Sequence, residues 1–239
     1  MNYHHPLRAA TWTPLIPVLD PFRLQRTQIL IRAKFLRGLG FEQIVLASTD
    51  DERYNRVMPA LVTALKQQTG LRIVEHFRPT RRTGFRAQQE TSWVIMSRVI
   101  SSKDPHFRTC RRINREPADR VGRGISSVAL PVGIDLTSML YVAAKETAED
   151  EISSVLHDPW TIQFTDVFYL FCRESRLKVE TVSSVRALIG DRPFLVASGN
   201  VRSGLDVKNL MYAGASGVAV GSVFEATDWR KRIAEIMQR

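Results

Sequence analysis

Two glycine-containing segments near the end of the chain have the residue types of a phosphate-binding site. The first contains Ser198, Gly199 and Asn200, and the second contains Gly221 and Ser222. Backbone N–H groups approach phosphate oxygens closely only where side chains are small, and Asn and Ser side chains can donate further hydrogen bonds. The pattern predicts that these five residues bind a phosphate group. Two ordinary strand-to-helix turns are the alternative interpretation. Ser203, with Asp206, could cap the helix that follows the first segment.

Carboxylate and hydroxyl side chains follow the first two apolar runs of the chain. Asp20 comes directly after Leu15–Leu19 and before Pro21, and the second run is followed by Ser48, Thr49 and Asp50. A carboxylate in such a place can bind Mg²⁺, which would neutralise a diphosphate. The second segment could coordinate metal or hydrogen-bond phosphate. The competing interpretation is that Asp20 caps a turn and that the other three are ordinary polar turn residues.

A third set of polar residues accompanies the apolar run 167–171. Tyr169 lies inside this run, and Arg173 and Glu174 follow it. Arginine can hold a carboxylate or a phosphate with two parallel hydrogen bonds, although a surface salt bridge would use the same side chain. His76, at the end of an earlier apolar run, could be a hydrogen-bonded rim histidine, a base or a phosphate donor.

The elements that must position these residues alternate between short apolar runs and segments of helical periodicity. The runs cover 15–19, 44–47, 71–77, 92–96, 126–132, 167–171, 194–197 and 217–220, and the helical segments include 23–38, 53–68, 179–189 and 227–237. Such alternation predicts an α/β fold with parallel strands, and about eight units favour a (β/α)8 TIM-barrel-like architecture. An open doubly wound sheet is the rival, although no Gly-x-Gly-x-x-Gly follows the first run.

One unit of this pattern is incomplete. The segment 78–91 is rich in Arg, Thr and Gly and has little helical periodicity. We therefore expect the third helix to be absent or irregular, which leaves either a surface loop or a gap that could admit an extended apolar substrate. The remaining pattern predicts one domain over 1–239, with an N-terminal extension over 1–13.

The amino-acid composition limits the kinds of molecule that the protein is expected to bind. The chain has 34 Lys and Arg against 24 Asp and Glu, a net charge of +10, which indicates an anionic partner such as a phosphorylated metabolite, a nucleic acid or a membrane surface. Nucleic acid is disfavoured, because the Arg clusters are not interleaved with stacking aromatic residues. Two cysteines and the lack of a signal or membrane-spanning pattern predict a cytoplasmic protein. Transient membrane-surface contact and a homodimer stay open.

Together these segments resemble the geranylgeranylglyceryl phosphate synthase family, which includes heptaprenylglyceryl phosphate synthases. The resemblance rests on Leu19-Asp20-Pro21, on Ala47-Ser48-Thr49-Asp50, on Tyr169, and on the segments Ser198-Gly199-Asn200 and Gly221-Ser222. It implies a TIM barrel without a regular third helix. It also implies an enzyme, a prenyltransferase, that joins a prenyl diphosphate to a hydroxyl of glycerol 1-phosphate with Mg²⁺ as cofactor.

Departures from the family pattern indicate a different acceptor. Val18 replaces an expected lysine, Ser101 an asparagine, and Phe171 a glutamate that holds glycerol hydroxyls. Loss of that acid, with Arg173 nearby, suits glycerate better than glycerol. The chain is most similar to the moenomycin-biosynthesis prenyltransferase branch, which implies transfer of farnesyl to the 2-hydroxyl of 3-phosphoglycerate in the biosynthesis of an antibiotic phosphoglycolipid.

The resemblance also implies a role for each candidate residue. Asp20 would hold Mg²⁺, Tyr169 would contact the acceptor oxygens, and Arg173 would bind the acceptor carboxylate. The prenyl diphosphate would be bound by Ser48, Thr49, Asp50 and His76. Glu174, Asp50, His76 or the substrate itself could accept the proton. The alternatives are a glycerol 1-phosphate acceptor, a phosphosugar isomerase or lyase, and a basic binding module without catalysis.

Overall fold

The computed structural model describes residues 14–47, 51–77, 93–100, 136–143, 167–172, 176–191 and 193–238. The strands are β1 (Leu15–Leu19), β2 (Gln43–Ala47), β3 (Arg72–Phe77), β4 (Trp93–Ile100), β5 (Leu136–Ala143), β6 (Val167–Phe171), β7 (Phe194–Ser198) and β8 (Gly217–Val220). The helices are α1 (Arg26–Gly38), α2 (Asp51–Thr69), α3 (Val179–Ile189), α4 (Gly204–Tyr212), a 3₁₀ helix (Ser222–Glu225) and α5 (Trp229–Met237).

The strands follow one another in the sheet in the same order as in the chain. Every described pair of neighbouring strands is parallel. Parallel neighbours require a crossover connection, and α1, α2, α3 and α4 each connect two consecutive strands. This order and pairing are those of a (β/α)8 TIM-barrel-like α/β fold, so the predicted fold class is confirmed. The doubly wound alternative is wrong, because in that fold the strand order departs from the chain order.

The chain divides into two compact units. The first comprises Met1–Ser97 and Asp119–Thr137, and the second comprises Arg98–Ala118 and Ser138–Arg239. The predicted single domain stays a prediction, and its N-terminal extension, 1–13, lies outside the described residues.

In the first unit, β1 pairs with β2 and β2 with β3, while α1 packs against α2 and α2 against β3. The buried face of α1 contains Ile29, Ala33 and Leu36, whose spacing is that of one helix face. This helix begins at Arg26, three residues later than predicted, because Asp20 holds the intervening segment in a turn: its Oδ1 accepts the N–H of Phe22 at 2.8 Å and its carbonyl accepts the N–H of Leu24 at 3.1 Å.

In the second unit, an arginine ties together the chain segments at the starts of β7 and β8. Arg186 donates from Nε to the carbonyl of Gly214 at 2.8 Å, from Nη1 to the carbonyl of Gly190 at 2.6 Å, and from Nη2 to Ser216 Oγ at 2.8 Å. Burial lowers the pKa of the Arg186 guanidinium. These bonds satisfy turn carbonyls that the strands leave unpaired.

The fifth strand is a correction to the sequence analysis. It is Leu136–Ala143, which pairs in register with β6 from Met139↔Val167 to Ala143↔Phe171. The run 126–132, predicted to be this strand, lies outside the described residues.

Two further expectations concern connections and membranes. The predicted irregular third helix falls on 78–91, outside the described residues. Within the described ranges, no helix is both long enough and apolar enough to cross a bilayer.

Candidate functional site

The turn after β7 adopts a backbone conformation that few residue types tolerate. Gly199 has φ +151° and Asn200 has φ +47°, and Asn200 is the only non-glycine residue with positive φ in the part of the chain that the structure describes. Asparagine enters this region more readily than most residues, although at a cost that structural context must offset. A strained turn at the carboxyl end of a parallel strand is typical of a binding site.

Glycine at 199 is required by a close approach between two strand ends. A Cβ built on Gly199 would lie 3.0 Å from the carbonyl oxygen and 3.2 Å from the Cβ of Cys172, the residue that follows β6. Cys172 is buried and not in a disulfide, and its N–H donates to the carbonyl of Ser198 at 3.0 Å. The ends of β6 and β7 therefore set the position of the turn, and a side chain at 199 would displace it.

The segment between this turn and α4 is held by a capping box. Ser203 Oγ accepts the N–H of Asp206 at 3.2 Å, which confirms the predicted cap. The Asp206 carboxylate accepts the N–H of Ser203 at 3.0 Å and the N–H of Arg202 at 2.8 Å, and it pairs with Arg176 Nη1 at 3.2 Å. These two loop amides are thus already used and cannot donate to a ligand.

Other donors around the two turns remain available. Among the described residues, no acceptor lies within hydrogen-bond distance of the backbone N–H of Asn200, Ser222 or Val223, nor of the Ser222 hydroxyl. Gly199, Asn200 and Gly221 are partly exposed, and Ser222 is exposed. Unpaired N–H groups in adjacent turns are the donor set from which proteins build anion sites.

Tyr169 extends this region along β6. Its phenol hydrogen-bonds the Ser198 side chain, one strand away. Burial raises the pKa of Tyr169 to about 12, and the hydrogen bond to Ser198 acts in the opposite direction. Tyr169 is therefore neutral at physiological pH and can donate or accept a hydrogen bond, but it is not a base.

Asp20, at the end of β1 in the first unit, has one carboxylate oxygen committed to the turn. Its Oδ1 accepts from Phe22, and its Oδ2 lies 3.7 Å from Arg23 Nε. Within the described ranges, no three His, Cys, Asp or Glu residues are grouped so as to hold a metal ion. Mg²⁺ at diphosphates is commonly held by one or two carboxylates together with water and phosphate oxygens, so a single oxygen of Asp20 fits that role.

Several predicted site residues fall where the structure gives no side-chain description. Ser48, Thr49, Asp50, Arg173 and Glu174 lie outside the described residues. His76 is described only as a residue of β3, paired in register with Ala47 and Ile95. Their roles stay predictions.

A groove of about 430 Å³ adjoins the two turns. It is lined by Asn200, Val201, Arg202, Ser222, Val223, Asp228, Lys231, Arg232, Glu235 and Ile236. Arg202 and the charged residues along α5 have no role among the predictions made from sequence. The spacing of the charged residues at 228, 231, 232 and 235, which places them on one face of a helix, could have indicated that they act together.

No protein-family model and no curated protein matches the sequence. Solved structures match the fold. Geranylgeranylglyceryl phosphate synthase from Thermoplasma acidophilum, in complex with sn-glycerol-1-phosphate, is 15% identical over 94% of this chain and 91% of that chain, with a TM-score of 0.67. The aldolase QR15 is 14% identical over 93% and 96%, with a TM-score of 0.58. A tryptophan synthase chain from Pyrococcus furiosus is 13% identical over 93% and 97%, with a TM-score of 0.54. At these identities the likeness shows the shared fold.

Proposed function

We propose that the protein is a prenyltransferase that forms an ether between an allylic prenyl diphosphate and a hydroxyl of a small phosphorylated acceptor. The observation that carries the proposal is the pair of turns after β7 and β8, whose amides at Asn200, Ser222 and Val223 have no acceptor among the described residues. The fold likeness to a synthase solved with sn-glycerol-1-phosphate supports the same assignment.

In the proposed reaction, the acceptor hydroxyl attacks the allylic carbon as the bond to diphosphate breaks. The diphosphate leaves with the bonding electron pair, and the hydroxyl proton passes to a base. The N–H groups of the two turns hold the acceptor phosphate, so that the hydroxyl is presented in a fixed place, which is the proximity contribution to rate. Tyr169, whose phenol stays protonated at physiological pH, orients acceptor oxygens by hydrogen bonding rather than by removing the proton.

In this proposal, Asp20 is the residue that would bind Mg²⁺. Bound Mg²⁺ would neutralise charge on the departing diphosphate. Asp20 offers its Oδ2, because Oδ1 is held by the N–H of Phe22. Ser48, Thr49, Asp50 and His76 complete the proposed diphosphate site. In barrels of this class, active sites are built from the loops that follow the strands, which is where Asp20 and the phosphate turns occur along the chain.

We infer that the acceptor is 3-phosphoglycerate and the donor farnesyl diphosphate, in the cytoplasmic synthesis of a moenomycin-like phosphoglycolipid. Phe171, which is 7% exposed, occupies the position where the resembling family has a carboxylate. Its apolar ring removes a repulsive charge from the surroundings of an acceptor carboxylate, which Arg173 would bind. Glycerol 1-phosphate is the second candidate, favoured by the ligand of the Thermoplasma synthase.

The test incubates the purified protein and Mg²⁺ with labelled farnesyl diphosphate and either acceptor, followed by mass spectrometry. The expected product with 3-phosphoglycerate is an ether that carries both the label and the phosphate. An adduct only with glycerol 1-phosphate would overturn the acceptor assignment, and no adduct with either would overturn the proposed reaction.

Two variants connect this activity to the turns. Asn200→Gly removes the side-chain amide while tolerating φ +47°, and Ser222→Ala removes an unpaired hydroxyl. Each should raise the acceptor KM about tenfold with little change in the KM for prenyl diphosphate, the loss expected for one hydrogen bond to a charged group. Ser184→Ala, which removes an exposed hydroxyl from α3, is the control and should behave like the wild type.

A further inference from the structure

The groove beside the two turns has one wall made by a single face of α5. Asp228, at the start of this helix, and Lys231, Arg232 and Glu235 recur at the three- and four-residue intervals that bring side chains onto one face. The groove is also lined by residues of the turns and of the segment that follows β7, Asn200, Arg202 and Ser222 among them. Every lining residue belongs to the second unit, so the groove is defined within one compact part of the chain.

The charges on the α5 wall are unequally neutralised. Arg232 Nε binds Asp228 Oδ1 at 2.7 Å, a close ion pair between neighbouring helical turns. Lys231 Nζ lies 3.9 Å from Glu235 Oε1, near the limit of an ion pair, and the Lys231 side chain is 78% exposed. Exposed pairs contribute little, and the longer Lys231 pair least, so Lys231 can turn toward a ligand at lower cost than Arg232.

Arg202 is the positively charged residue among the lining residues that do not belong to α5. Its Nε donates to Asn200 Oδ1 at 3.1 Å. Among the described residues, neither of its terminal nitrogens has a partner within hydrogen-bond distance. Because Oδ1 of Asn200 is occupied by this bond, the amide nitrogen of Asn200 is the end left to donate.

We propose that this groove binds the phosphoryl group of a phosphate monoester, with Arg202 and Lys231 as ligands in addition to Asn200 and Ser222. A planar guanidinium with two available nitrogens matches two phosphate oxygens, and an ammonium adds a mobile point charge. That the monoester is the prenyl acceptor rests on the proposed function; that the groove binds phosphate does not.

The test measures binding of inorganic phosphate and of 3-phosphoglycerate to the full chain by calorimetry. Arg202→Gln and Lys231→Gln should each raise the dissociation constants about tenfold, the effect of losing one charge-assisted hydrogen bond. The matched control is Arg230→Gln, which removes the same charge from α5 but from a residue that is not part of the groove lining and whose guanidinium lies 5.2 Å from the Trp229 ring. Its dissociation constants should change less than about twofold, as expected for a surface charge.

The outcomes separate the groove from general charge effects and from folding. Unchanged phosphate affinity in both groove variants, no measurable affinity in the wild type, or an equal loss in Arg230→Gln would each overturn the proposal. Circular dichroism and thermal unfolding identify a variant that fails to fold. In that event Arg202→Lys, which keeps the charge but cannot reproduce the two-nitrogen geometry, provides the second test and should weaken binding by a smaller factor.

The prenyl transfer assay distinguishes this proposal from the proposed function. If groove variants lose phosphate binding but the wild type transfers no prenyl group, the site stands and the reaction fails. If the wild type transfers prenyl groups and the groove variants keep the wild-type KM for the acceptor, the reaction stands and the groove is not its acceptor site.

Discussion

Tyr169 shows how burial shifts the pKa of a single side chain. The family resemblance implies that Tyr169 contacts the acceptor oxygens, and a tyrosine in such a place can act as a hydrogen-bond donor or as a base. Its pKa, raised to about 12 by burial, leaves it protonated at every physiological pH. The resemblance brought Tyr169 forward, but the depth of its burial follows from how β5, β6 and β7 pair.

The raised pKa of Tyr169 has a consequence for stability in alkali. An unfolded tyrosine ionises near pH 10, whereas Tyr169 in the folded chain stays protonated to about 12. The stability that this difference in pKa contributes to the folded chain is complete below pH 10. It is lost as pH rises toward 12, because only the unfolded chain releases the proton in that interval. Tyr169→Phe should therefore lose less unfolding free energy than the wild type between these pH values.

Urea unfolding across that interval checks this prediction. Tyr212→Phe, at a side chain that is 89% exposed, is the control and should retain the wild-type loss because Tyr169 is still present. An equal loss of unfolding free energy between pH 10 and 12 in the wild type and in Tyr169→Phe would contradict the prediction. Between about pH 6 and 9, Tyr169→Phe should leave the shape of the activity profile unchanged, since the phenol does not titrate there.

The start of α4 shows how a helix cap can organise a neighbouring turn. One carboxylate, Asp206, accepts N–H groups from Arg202 and Ser203 and pairs with Arg176. The backbone on the far side of these bonds leads directly into Asn200. The cap therefore stabilises both the helix and the conformation in which the turn presents its donors.

We expect Asp206→Ala to lower the unfolding free energy by about 1–2 kcal/mol, the usual cost of losing a cap and leaving two amides unpaired. It should also raise the acceptor KM, because the turn loses its anchor, while the prenyl diphosphate KM changes little. Unfolding curves and steady-state kinetics measure both effects. Glu180→Ala, at an exposed acid in the first turn of α3, is the control: it should lower the unfolding free energy by less than about 1 kcal/mol and leave the acceptor KM unchanged. A stable Asp206→Ala variant with a normal acceptor KM would show that the cap does not position the turn.

The positions of the elements were predictable to different degrees. Three helix boundaries agree with signals in the local sequence: the end of α1 at Gly38, the end of α3 at Ile189 before Gly190, and the start of α4 after Ser203. Helix caps and turns depend on only a few neighbouring residues, so such boundaries can be predicted from sequence. The fifth strand was misplaced. Leu136–Ala143 mixes polar and apolar residues, and its assignment depends on the partner strand β6, which lies far along the chain.

Across the chain as a whole, a net charge of +10 makes encounter with anionic substrates sensitive to salt. The groove residues Arg202 and Lys231 are exposed, so their attraction is screened by mobile ions. Raising KCl from about 0.05 M to about 0.5 M should raise the acceptor KM several-fold, with a smaller change in kcat.

Comparison of variants with equal net charge separates the groove from the overall field. Arg202→Gln should lose much of the salt dependence of the acceptor KM, whereas Arg230→Gln should keep most of it. An acceptor KM that is insensitive to salt in the wild type would contradict the role of these cations.

The amino-acid sequence alone was sufficient for the alternation of strands and helices, the fold class, the places of the turns after β7 and β8, and the Ser203–Asp206 cap. Each of these features depends on the periodicity of apolar residues or on residues that are only a few positions apart in the sequence. The contact of Gly199 with Cys172, the burial of Tyr169 and the groove between Arg202 and Lys231 were decided by tertiary structure. These features join residues that are about 30 positions apart in sequence, and their proximity follows only from the pairing of strands and the packing of helices against them.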